Sequence, residues 1–136
     1  MVRKIADRLS LREAIMNPVN WFEIPVTDMT RAKSFYEDVF GLQISLDKMG
    51  PLEMGFIPMD NNVYGAAGSL VRGEGYVPSH TGTLVYFGIP DIETVLERIK
   101  HNGGKVLLPK TSIGEYGFIA HFEDSEGNRV ALHSMK

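Results

Sequence analysis

Glu23, Tyr86 and His133 carry the types of side chain that move protons, and their spacing suggests that they share a surface. Phe22, Ile24 and Val26 alternate in strand period, so Trp21, Glu23 and Pro25 point to the opposite face of that strand. Val130 and Leu132 alternate in the same way with Arg129, Ala131 and His133. Sliding the chain on itself by 63 residues brings Glu23 onto Tyr86. A carboxylate whose pKa is raised by burial, opposite a phenol that donates a hydrogen bond, is a general base facing an enolate-stabilising group, with Tyr86 or His133 in the second role. The same residues also read as a structural pair, with Glu23 hydrogen-bonded to Tyr86 or Arg129. A third reading makes Glu23 and His133 a displaced metal pair, completed by His121 or Glu123, whose facing the alternation of Phe118–Glu123 leaves open. His101 sits before Asn102-Gly103-Gly104, where a helix C-terminus favours a cation, and His80 lies in a loop.

The elements that position these residues come in two copies. Asp28 and Asp91 stand at helix N-cap places after the alternating strands, which end at Val26 and Ile89. Met29, Ala32, Tyr36 and Val39, and Ile92, Val95, Leu96 and Ile99, then mark amphipathic helices that stop at Gly41 and at Gly103-Gly104. Three strands are expected after each helix, near 42–46, 52–58 and 63–71 and near 105–109, 117–123 and 128–134. Each copy reads βαβββ, giving an α+β domain made of residues 20–71 and 83–136, joined by a Gly-rich loop at 72–82. Residues 1–19 form an arm in which Ser10 and Glu13 have capping-box spacing, so a short helix is expected before Pro18.

The whole chain has 136 residues, 14 Lys plus Arg against 17 Asp plus Glu, and no basic field that would hold nucleic acid. A mean hydropathy of −0.09 and the lack of a long apolar run argue against a membrane partner. The N-terminus has no signal-peptide h-region, so a cytoplasmic location is expected. Without cysteine there are no disulfides or thiolate ligands, and any metal must sit on His, Asp or Glu. Neither a phosphate-binding glycine loop nor a G-x-S-x-G nucleophile motif is present.

Trp21-Phe-Glu-Ile-Pro-Val-Thr-Asp-Met, Phe35-Tyr36 with Phe40-Gly41, Asn102-Gly-Gly-Lys-Val and Phe122-Glu-Asp-Ser-Glu-Gly-Asn-Arg-Val-Ala-Leu resemble segments of the vicinal oxygen chelate superfamily over residues 20–134. This superfamily includes glyoxalase I, bleomycin-resistance proteins and extradiol dioxygenases. The resemblance implies two modules whose sheets curl around a cavity with helices outside, a divalent metal between them, and a homodimer. Its metal-ligand positions fall on Trp21, Gly68, Leu84 and Ala131, none of which offers a lone pair. A metal-dependent glyoxalase I activity is therefore not expected, and no cofactor is implied unless a divalent metal sits at a shifted site. Two readings follow. One is a metal-free binder of an amphipathic or aromatic small molecule, with Trp21, Leu84, Gly68, Ala131, Arg129 and His121 around the ligand, the loop 72–82 nearby, and Met49, Met54, Phe56, Met59 and Tyr64 as further apolar walls. The other is a lyase, an isomerase or a dioxygenase-related enzyme using Glu23, Tyr86 and His133.

Overall fold

Both aspartates cap their helices. The Asp28 carboxylate accepts from the Arg31 backbone N–H at 3.0 Å, and Asp91 accepts from Glu93 at 3.1 Å and Thr94 at 3.4 Å. Helix α1 (Met29–Phe40) ends at Gly41, whose φ of 67° is the left-handed conformation that glycine adopts without strain. Helix α2 (Ile92–His101) ends at Asn102, followed by Gly103 at φ 86°. The computed structural model describes residues 17–136; the helix expected in the arm lies outside them.

Strands β1 (Trp21–Pro25), β2 (Ser45–Met49), β3 (Leu52–Phe56) and β4 (Ala67–Arg72) form one sheet in the order β1-β4-β3-β2. Strands β5 (Tyr86–Gly88), β6 (Lys105–Ser112), β7 (Phe118–Glu123) and β8 (Arg129–Ser134) repeat that order as β5-β8-β7-β6. The first and last strands of each module are parallel and the other pairs antiparallel. This is the expected α+β fold of two βαβββ modules, and its two sheets remain separate rather than closing.

One continuous core joins the modules. Met29, Ala32, Phe35, Tyr36 and Val39 of α1 and Ile92, Val95, Leu96 and Ile99 of α2 are buried together with Ile24, Leu70, Ala120, Phe122, Val130 and Leu132 from both sheets. Phe87 of β5 links the halves, stacking on Phe40 at 4.4 Å and meeting Phe22 edge-on at 5.8 Å. With one face of each sheet committed to this core, the opposite faces are left for a site.

Several strand boundaries differ from expectation. Strand β2 starts at Ser45, because the Glu37 carboxylate accepts from the Ile44 N–H at 2.8 Å and holds 42–44 as a connection. That bond and Lys33 keep the Glu37 carboxyl below its usual range. Strand β4 starts at Ala67, since Asp60 accepts from the Asn62 N–H and 61–65 turn, leaving Val63 and Tyr64 exposed. Strand β6 runs on to Ser112 with irregularities on either side of Leu108, where edge position tolerates Pro109.

Candidate functional site

The outer face of the second sheet carries the polar residues that alternation assigned to it. Tyr86 pairs with Ala131 and Gly88 with His133, while His121 also pairs with Ala131 and Ile119 with His133. Paired residues share a face, so His121, Ile119 and Glu123 lie beside Tyr86, Arg129 and His133, while Phe118, Ala120 and Phe122 turn to the core. This settles the facing that the sequence left open.

Tyr86, Gly88, Ile113, Ile119 and His133 line a solvent-open cavity of about 560 Å³ on this face. Its walls are mainly apolar, and its polar groups are ordered by their neighbours. Arg129 donates to His121 Nδ1 at 2.9 Å, which leaves the His121 proton on Nε2, 3.4 Å from the Tyr86 hydroxyl. Burial, with Arg129 nearby, holds the His121 pKa below its usual value, so the ring is neutral and Nε2–H donates to the phenol oxygen. The Tyr86 O–H remains free to donate. His133 Nε2 donates to the Tyr116 carbonyl at 2.6 Å, leaving Nδ1 as an acceptor. A donor and an acceptor thus share one apolar cavity.

Glu23 is placed elsewhere. It lies on the outer face of the first sheet, exposed, and accepts from the Tyr76 hydroxyl at 3.1 Å. The burial assumed for a general base is absent, and neither Tyr86 nor Arg129 is its partner. The structure corrects the expected pairing because matched positions in the two modules sit on different sheets. Sequence gave no sign of Tyr76, which reaches Glu23 from the loop between the modules. Glu23 and His133 line different cavities, and among the described residues no three His, Asp or Glu side chains converge as ligands.

Gly68 is also corrected. It pairs with Phe22 on the core side, where a Cβ would lie 2.7 Å from Phe22 Cγ, while Ser69 pairs with Glu23 on the outer face. Ser69, not Gly68, therefore occupies the level that Ala131 has in the second sheet. Leu84 precedes β5 instead of lying in it, and Trp21 packs against Phe56 at 6.1 Å on the first sheet, away from the cavity lining. Met49, Met59 and Tyr64 are exposed and Met54 is buried, so none of them lines this cavity.

These positions do not fit a divalent metal. Indole, isobutyl and methyl groups supply no donor, and the Ser69 hydroxyl, buried without a hydrogen-bond partner, is a single neutral oxygen.

The sequence profile of the Glyoxalase/Bleomycin resistance protein/Dioxygenase superfamily matches residues 19–132. The chain belongs to that superfamily. A glyoxylase-like domain-containing protein of Didymella fabae is 29% identical over 120 residues, spanning 84% of this chain and 91% of that protein. A glyoxylase/bleomycin resistance protein/dioxygenase domain from Frankia sp. EAN1pec superposes with a TM-score of 0.70 at 13% identity, covering 90% of this chain and all (100%) of that one. Glyoxalase I from Zea mays gives 0.63 at 21% identity over 87% of this chain, which spans only 46% of the maize protein. At such identities the structural likeness establishes the superfamily fold alone. No helix among the described residues is long and apolar enough to cross a membrane.

Proposed function

We propose that this superfamily member binds a small amphipathic or aromatic molecule in the cavity on the outer face of β5, β7 and β8, without a divalent metal. The observation that carries this reading is the cavity itself. Its volume of about 560 Å³ lies in the range of small-molecule sites, and it combines apolar walls with the Tyr86 donor and the His133 acceptor. Gly88 offers a direct test, because a Cβ there would meet nothing within 4 Å. Gly88→Leu should therefore fill the cavity without disturbing the fold. With anilinonaphthalenesulfonate as an amphipathic aromatic probe, Gly88→Leu is expected to weaken binding by about two orders of magnitude, with the melting temperature shifted by no more than about 2 °C. Unchanged probe affinity in the folded variant would remove the proposal. The homodimer implied by the superfamily belongs to the same reading, and sedimentation velocity measures it.

The joint placement of Tyr86 O–H and His133 Nδ1 favours a second reading, isomerase or lyase chemistry with His133 accepting a proton and Tyr86 stabilising the resulting oxyanion. Glu23 has no part in it. Under this reading His133→Asn eliminates turnover while probe binding and melting temperature persist. Loss of binding together with turnover would return His133 to a binding role.

A further inference from the structure

A second cavity, of about 250 Å³, opens at the seam between the modules, where β1 and β8 meet the loop leading to β5. Its lining includes one carboxylate and one guanidinium, those of Glu23 and Arg129, together with Ser79, Thr81, Thr83 and Val77. The two charges are not spent on each other. Among the described residues Glu23 accepts only the neutral Tyr76 hydroxyl, and Arg129 uses one of its five side-chain N–H donors, on His121. Among the described residues neither has an ion-pair partner within 4.0 Å.

The wall that carries the hydroxyls is held in place. Ser79 N–H donates to Asn128 Oδ1 at 3.1 Å, its carbonyl accepts from the Arg129 N–H at 3.1 Å, and its hydroxyl donates to the Thr81 carbonyl at 2.7 Å. The neighbouring His80 ring is tied to Glu123 at 2.8 Å. Asn128 in turn donates to the Pro25 carbonyl at 2.8 Å, fixing β1 against the start of β8. Glu23 and Arg129 thus line one cavity whose backbone is already hydrogen-bonded.

An anion and a cation that have no ion-pair partner among the described residues, on one partly enclosed surface, form a complement to a molecule with the reverse arrangement. We propose that the seam cavity binds a small zwitterion of the amino-acid type, its ammonium group on Glu23 and its carboxylate on Arg129. Thr81 and Thr83 belong to the same lining. This site shares no lining residue with the cavity on the outer face of the second sheet.

The test is calorimetric or NMR titration of the full chain with glycine, β-alanine and γ-aminobutyrate, using butyrate and butylamine as single-charge controls. At least one zwitterion is expected to bind about tenfold or more tightly than either control. Glu23→Gln, an exposed substitution that leaves folding intact, is expected to cut zwitterion affinity about tenfold and leave butyrate unaffected. Arg129→Gln, checked for folding by its melting curve, is expected to remove both the zwitterion and the butyrate signal. Gly88→Leu, which closes the other cavity, is expected to leave zwitterion binding unchanged, so the two sites fail independently. Equal affinity for zwitterion and controls, or zwitterion binding indifferent to Glu23→Gln, would overturn the assignment.

Discussion

Asp124→Ala is expected to lower the stability of the whole chain by about 4 kcal/mol, read as a fall of roughly 12 °C in melting temperature. Asp124 is 2% exposed and accepts four hydrogen bonds in the turn between β7 and β8. Oδ1 takes the N–H groups of Glu126 at 2.8 Å and Asn128 at 2.9 Å, while Oδ2 takes the Tyr36 hydroxyl at 2.6 Å and Asn128 Nδ2 at 3.0 Å. Alanine would leave a buried phenol, one buried and one half-buried backbone donor and an amide with one partner fewer. Each such orphan costs on the order of 1 kcal/mol or more. Burial, then the Asp124 charge, hold the Tyr36 phenol well above its ordinary pKa, so it stays a donor at every workable pH. Tyr36→Phe removes one bond only and is expected to cost about 1 to 2 kcal/mol. Equal losses for the two variants would show that Asp124 acts through Tyr36 alone. The effect reaches the site because Asn128, aligned by Asp124, holds both Pro25 and Ser79 at the seam.

How much of this was legible depends on the range of the interaction. The N-caps at Asp28 and Asp91, the helix-ending glycines, the buried helix faces and the outward set Tyr86, Gly88, Arg129, Ala131 and His133 are all consequences of local periodicity, and the structure places them as read. The 63-residue repeat holds at the first strands and slips by one residue at the last. The connection from β3 to β4 is longer than that from β7 to β8, so no single offset carries through. That slip exchanged Gly68 for Ser69. The cavity walls were hidden because β7 mixes one apolar residue, Ile119, with His121 and Glu123 on its outward face, so its alternation did not mark an apolar wall there. Tyr76 on Glu23 and Tyr36 on Asp124 join residues 53 and 88 positions apart, and no spacing rule signals such a partner.

Glu126→Gln is expected to destabilise the protein by about 2 to 3 kcal/mol at neutral pH and to have almost no effect near pH 2. The Glu126 side chain is fully shielded, whereas its partner Arg31 is half exposed, at 52%. Burial by itself pushes this carboxyl up, but the Arg31 guanidinium at 2.7 Å, the N–H groups of Asp28 and Thr27 at 2.9 Å and the Ser125 hydroxyl outweigh it and bring the pKa to about 2. A folded-state pKa below the unfolded one means that the unfolded chain binds the proton more readily. The resulting stability is complete above the ordinary carboxylate range, near 4.5, and drains away as pH falls toward 2. Glutamine keeps the shape but turns an N–H₂ toward at least one of the donors, so the variant lacks this contribution at every pH. Urea midpoints measured from pH 7 down to pH 2 should show two curves that converge on the acid side. A gap of constant size would mean that the ionised carboxylate contributes nothing specific. The clamp joins the turn before α1 to the turn before β8, linking residues 95 to 99 positions apart. The half-exposed side of Arg31 also makes the gap sensitive to salt, and it is expected to narrow as ionic strength rises.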